Sequence, residues 1–318
     1  MNPADFLRAS RVVIVAGKGG VGKTTLTAAL ARAGALAGLD ALIVEVEGKS
    51  GLAALFGQPP LGYEEVVLSP AAAGTGSVRG RTLTPDDALF EYLESHGMKR
   101  LSRRLVSTGA MDMVATAAPG IKDILILGKV KSLEREQAAD LIVLDAPAAG
   151  HAITFLLSAR GLLDAVSVGP IATQAREVLD LLTDPARSSV WLVTLPEETP
   201  VNELTETAFH LEDRIGISLG PVVVNGCYPP LPGLDADPVA AAEAAGTTLR
   251  PGEAEALRAA AAFRVERSAL QAEQVRRLAE RLPLPQLSLP FLFEADLGPR
   301  EIDVLARSLL DQIAELPS

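Results

Sequence analysis

Short apolar runs recur along this chain, at residues 11–16 (RVVIVA), 41–46 (ALIVEV), 141–145 (LIVLD), 165–168 (AVSV), 190–195 (VWLVTL), 222–225 (VVVN) and 286–290 (QLSLP). Each has the length of a strand and little polar interruption, as expected for strands buried on both faces. Helix-period patterns separate nearly all of them, beginning with TTLTAALARAGALA from Thr24 onward. Strands alternating with helices predict an α/β fold, a doubly wound and mostly parallel sheet whose ligands gather at the carboxyl ends of the strands.

Two stretches break the alternation. Residues 58–86 are loop-rich, and AAAGTGSVRGR within them reads as a mobile or hairpin segment. Residues 87–136 are helical in pattern, with Phe90, Leu93, Leu101, Leu105, Met111 and Met113 among the apolar positions and a break at APGI, residues 118–121. They read as a helical subdomain inserted within a single domain spanning residues 1–318, with the apolar stripe serving packing before any ligand. Residues 252–281 are charged and alanine-rich, the look of an exposed helix or helical hairpin. No internal repeat is visible.

Composition narrows the function classes. Hydrophobic residues make up 48% of the 318 residues and mean hydropathy is +0.25, yet no apolar run reaches membrane-spanning length, so stable membrane insertion is not expected. The first residues, MNPADFLRAS, lack the basic and apolar regions of a secretory signal, which points to a cytoplasmic location. A net charge of −11 argues against a nucleic-acid surface. The basic cluster Lys99, Arg100, Arg103 and Arg104 falls along one expected helix and reads as a solvated face. A single cysteine, Cys227, excludes an internal disulfide.

The chemistry concentrates in GKGGVGKTT, residues 17–25, which stands between the first strand and the first helix. Its glycines, Gly17, Gly19, Gly20 and Gly22, let successive backbone N–H groups of the loop from Gly17 through Val21 to Thr25 turn inward around a triphosphate. The helix N-terminus adds its positive end. In such a loop Lys23 reaches the β and γ phosphates and the Thr24 hydroxyl ligates Mg²⁺. Asp145 ends an apolar strand at the edge expected to face this loop, placed to hold the metal's water shell. A guanine-specific site would show NKxD after the strand PVVVN, and Gly226, Cys227 and Tyr228 do not supply it, so ATP is favoured over GTP.

The second lysine in the loop, Lys18, makes it resemble the deviant P-loop of SIMIBI-class ATPases. The segment DAPAAGH, Asp145 to His151 and on into Phe155 and Leu156, is similar to the DTAPTGH switch of the arsenite-pump and tail-anchored-protein targeting branch. The similarity extends to the PGI turn at Pro119 and to LVTLPEETPVNEL, residues 192–204, and is nearest to actinobacterial-type single-domain members of that branch. The resemblance implies a nucleotide-gated dimer in which Lys18 crosses to the partner's nucleotide. It acts there like an arginine finger in trans, a role worth on the order of 10³ to 10⁵ in rate. It further implies that Gly150 senses the γ-phosphate, that Asn225 reads adenine, and that LPFLFEADLG, residues 289–298, forms a second adenine-side loop. His151 reads as a switch residue held by local hydrogen bonds, with a catalytic base as the alternative.

Departures from the branch are equally informative. Where it carries Asp-Pro-Ala-His with a water-polarising aspartate, this chain has Glu47, Gly48, Lys49 and Ser50. Glu47 then orients water from a carboxylate displaced by over an Å, and misplacement on that scale can cost about 10² in rate. Arsenite thiolate chemistry, a CxxC zinc site and an iron–sulfur bridge are each implausible with one cysteine. The interval from His151 to Thr183 holds no methionine, so any client surface is smaller than the targeting ATPase's or different from it.

The sequence thus predicts a Mg²⁺-dependent ATPase, a homodimer or a heterodimer with a paralogous ATPase, acting on an unidentified protein client. The alternative is a weakly active or regulatory nucleotide-binding subunit. A septum-site or partition-type ATPase would want a basic membrane helix or DNA surface, and REIDVLARSLLDQIAEL, from Arg300, fits helix packing better.

Overall fold

A computed structural model of the chain describes residues 1–46, 51–95, 120–147, 149–166 and 168–317. Its centre is an eight-stranded sheet with spatial order β3-β4-β2-β5-β1-β6-β7-β8. The strands are β1 Val12–Ala16, β2 Ala41–Val46, β3 Val66–Ser69, β4 Val78–Leu83, β5 Leu141–Asp145, β6 Ser188–Thr194, β7 Val222–Cys227 and β8 Gln286–Pro290. All pairings are parallel except β3 with β4. The chain leaves β1 to one side for β2 to β4, returns for β5, and then builds β6 to β8 on the other side. β1 therefore lies where the winding reverses, the usual place for a ligand crevice.

Side-chain alternation along the strands divides the core into two layers. Val12, Ile14, Leu42, Val44, Ile142 and Leu144 face one way. They meet helices α4 Ile121–Arg135, α5 Ala149–Ala165, α6 Pro170–Thr183 and α7 Glu198–Ile215 through Ile124, Leu127, Phe155, Val178, Leu181 and Leu204. Val13, Val15, Ile43, Val143 and Trp191 face the other way, onto α2 Lys23–Leu36 and the C-terminal α10 Pro299–Glu315. The buried stripe of α10, Ile302, Leu305, Leu309 and Ile313, explains its sequence pattern as packing. The remaining helices are α1 Pro3–Arg8, α3 Pro85–Ser95, α8 Pro238–Ala244 and α9 Glu253–Arg281. Among the described residues no helix is long and apolar enough to cross a membrane.

Two expectations needed correction. The strand expected at 165–168 is not found at its described residues: Ala165 still belongs to α5, Val168 lies on the surface at 80% exposure, and Ser167 lies outside the described residues. An apolar run of four carries too little information to separate a strand from a helix end. The loop-rich reading of residues 58–86 missed β3 and β4, although the hairpin expected there exists. Strand β4 reads VRGRTL, and its arginines disguise it. Arg81 is buried, 4.4 Å over the Tyr63 ring and paired with Glu65, while Arg79 also bonds Glu65. Pairing makes a charged strand tolerable in the interior.

The expected helix at 252–281 is one long exposed helix, α9, whose buried residue is Leu278. Of the helical stretch 87–136, α3 and α4 are described. Lys99, Arg100, Leu101, Arg103, Arg104, Leu105, Met111, Met113 and Pro119 lie outside the described residues.

Candidate nucleotide site

The three carboxyl-end positions that matter stand side by side because of strand register. Val15 of β1 pairs with Asp145 of β5, and Thr194 of β6 with Val224 of β7. The loop after β1, the last residue of β5 and Asn225 therefore share one edge of the sheet.

The loop requires its glycines. A Cβ on Gly17 would lie 2.4 Å from the Val193 carbonyl oxygen, so β6 approaches too closely for any side chain. Gly20 and Gly22 have φ of +82° and +95°, the left-handed region that other residues avoid. Gly22 leads directly into α2, whose first residue is Lys23. Gly19 and Gly20 are exposed at the tip, Val21 is buried beneath it, and Thr24 and Thr25 follow Lys23 in the first turn of the helix. This is the geometry of a backbone anion cradle at a helix N-terminus.

Lys23 is buried and folds back over the loop, its Nζ donating to the Lys18 carbonyl at 2.9 Å. Thr24 donates its hydroxyl to Asp145 Oδ2 at 2.9 Å. Asp145 is fully buried. Hydroxyl and carboxylate, 121 residues apart in sequence, meet at the helix end of the loop. This donor set fits Mg²⁺, which takes one or two protein oxygens and completes its octahedron with phosphate and water. Among the described residues no group of three or more His, Cys, Asp and Glu side chains is placed to hold a metal.

Lys18 points elsewhere. Its backbone carbonyl serves Lys23, but its ammonium lies 3.3 Å from Glu203 of α7, both side chains being partly exposed. Glu203 was not singled out in the sequence, where nothing but its place in the strand-helix LVTLPEETPVNEL marks it. Glu45 also escaped notice. It is buried in β2, in register with Asp145, and accepts a hydrogen bond from the Thr82 hydroxyl at 3.1 Å. A carboxylate inside an apolar strand was the available signal.

Asn225 closes the site on the β7 side, donating its amide to the Val21 carbonyl at 2.9 Å. A Cβ on Gly22 would fall 2.1 Å from that amide nitrogen, so the two segments are in close contact. Gly150 and His151 are in the first turn of α5, just beyond Asp145. Glu47, with Gly48, Lys49 and Ser50, lies outside the described residues.

Comparison with known proteins agrees with this arrangement. The family model of the anion-transporting ATPases matches residues 10–167, which hold the loop, Asp145 and the switch segment. Residues 10–167 belong to that family. The chain is 36% identical over 226 residues to ATPase BagA of Mycobacterium tuberculosis, covering 69% of this chain and 66% of that protein. It is 26% identical over 217 residues to the arsenical pump-driving ATPase of Escherichia coli, covering 67% of this chain and 34% of the pump ATPase. ATPase get3 of Schizosaccharomyces japonicus matches at 28% over 144 residues, 45% of this chain and 42% of get3. The chain thus spans less than two thirds of the length of these curated relatives.

The lone cysteine is a poor metal ligand. Burial pushes the Cys227 thiol up to about 11, so it stays neutral at physiological pH. At pH 8 its reaction with a disulfide reagent is expected to run about a hundredfold slower than a free thiol's, the thiolate fraction falling tenfold per unit of pKa. The rate should keep climbing toward pH 11, and a plateau near pH 9 would contradict this burial effect.

Proposed function

We propose that this chain is a nucleotide-gated dimer that hydrolyses ATP with Mg²⁺ and couples closure to capture or release of a protein client. The observation that supports the reading is a glycine loop at the start of α2, with Thr24 bonded to Asp145 beside it and Lys18 directed away toward Glu203. In this reading Lys23 neutralises charge on the transferring phosphoryl group, and Thr24 and Asp145 hold the metal and its water. Lys18 supplies positive charge to the partner's site, and Glu47 orients the attacking water. Gly150 reports the γ-phosphate to α5, and Asn225 stands on the adenine side. When bound, Mg²⁺ would neutralise the charge that builds on the phosphate oxygens. The binding partner is a second copy or a paralogous ATPase, in the cytoplasm, and residues 87–136 act as an inserted helical subdomain of one ATPase domain.

The test is ATP turnover by the purified chain across a protein concentration series. Turnover per chain that rises with concentration and saturates is the expected result. Concentration-independent turnover would remove the dimer from the mechanism. ATP binding without turnover at any concentration would assign the chain a regulatory role beside an active paralogue.

A further inference from the structure

Helix α9 adds little to the hydrophobic core, yet two of its side chains reach the turn that follows Asn225. Gln271 Nε2 donates to the Gly226 carbonyl at 3.1 Å, and its Oε1 accepts the Tyr228 N–H at 2.8 Å. Arg264 donates to the Pro229 carbonyl at 2.8 Å and lies 4.0 Å over the Tyr228 ring and 5.3 Å over that of Phe293. Tyr228, Phe291 and Phe293 pack against one another, with centroids 4.8 to 5.9 Å apart, joining this turn to the loop after β8.

The turn needs such support. Pairing of β7 with β8 slips between Val224 and Cys227, so the ladder does not fix Asn225 and Gly226. Gly226 takes a φ of +74°, which sends the chain out of the strand direction immediately after Asn225. One amide side chain supplies to Gly226 and Tyr228 the donor and acceptor that a neighbouring strand would otherwise provide. Without them, the segment carrying Asn225 keeps the Asn225 contact with Val21 and, beyond the bulge, the bond from the Phe291 N–H to the Cys227 carbonyl at 2.7 Å.

The geometry points to Gln271, with Arg264 behind it, as a positioning residue for nucleobase recognition, so that selectivity for the base is set from the exposed helix α9. This rests on the reading of Asn225 as the adenine-side residue. Gln271 and Arg264 bond the turn at Gly226, Tyr228 and Pro229 and not the phosphate cradle of β1, α2 and β5, so the two halves of the nucleotide should respond differently when the clamp is removed.

The experiment compares wild type with Gln271→Met, which keeps the length and apolar stem and deletes both hydrogen bonds. Dissociation constants for ATP, GTP and inorganic tripolyphosphate are measured on the full chain with Mg²⁺ by calorimetry. ATP binding is expected to weaken about tenfold, the worth of two neutral hydrogen bonds, with tripolyphosphate unchanged and the ATP-over-GTP preference reduced. Arg264→Met should shift the same ratio in the same sense by less. Equal weakening for all three ligands would show general loosening and overturn the proposal, as would an unchanged ATP-to-tripolyphosphate ratio. If Gln271→Met fails to fold, Gln271→Glu keeps the acceptor for Tyr228 and loses the donor to Gly226, and the same split is expected. Wild type that binds ATP no better than tripolyphosphate would remove the base-side reading itself. Wild-type preference for ATP that survives in the variants would remove the clamp alone.

Discussion

Lys18→Ala is expected to abolish turnover while ATP still binds. The loss should be on the order of 10³ to 10⁵, the effect of withdrawing a trans cation from a transferring phosphoryl group. Binding should survive because the variant keeps what Lys18 gives its own loop, the backbone carbonyl that receives Lys23. The ammonium group itself contacts Glu203 rather than the cradle. That ion pair is half exposed, and such pairs are worth about 0 to 1 kcal/mol. In the proposed dimer its release therefore costs little against the charge stabilisation gained when Lys18 engages a partner's phosphates. Mixing the variant with wild type sharpens the test, since turnover should follow the fraction of dimers able to donate one lysine. A variant that turns over ATP at the wild-type rate would reduce Lys18 to a solvated lysine in a glycine loop.

Asp145→Asn should separate the metal from the phosphate cradle. The substitution is isosteric, so burial in β5 is preserved, but the acceptor for the Thr24 hydroxyl loses its charge. Turnover is expected to fall by about 10² to 10³, typical of removing one preorganised charge-stabilising group. The Mg²⁺ concentration needed for half-maximal turnover should rise in parallel. Affinity for ADP without metal should change little, because the glycines and Lys23 remain. An unaltered Mg²⁺ requirement would mean that Asp145 braces Thr24 and does not serve the ion.

Much of the fold was written locally. Strands β2, β5 and β8 have the bounds their apolar runs suggested, β1 and β7 differ by one or two residues at one end, and β6 starts two residues earlier and ends one residue earlier than its run. Continuous apolar runs between helical patterns allow few solutions other than a parallel sheet covered on both faces. The glycine spacing of the loop is equally local, because φ of +82° and +95° at Gly20 and Gly22 is a demand on single residues. Strand β4 escaped for the opposite reason. Its arginines are tolerable only beside Glu65 and the Tyr63 ring, partners that the hairpin with β3 brings near.

The sequence by itself determined the phosphate cradle, the alternating strands and the sheet edge at which the chemistry gathers. These follow from hydrophobic period and glycine conformation, which act over a few residues. Tertiary structure alone decided that Thr24 meets Asp145, that Lys18 turns toward Glu203, and that Asn225, 204 residues beyond Val21, closes on the loop. It also decided that Gln271 secures the turn after β7. Each of these contacts joins polar groups whose partners depend on strand order and register, which a linear pattern of apolar and polar residues does not encode.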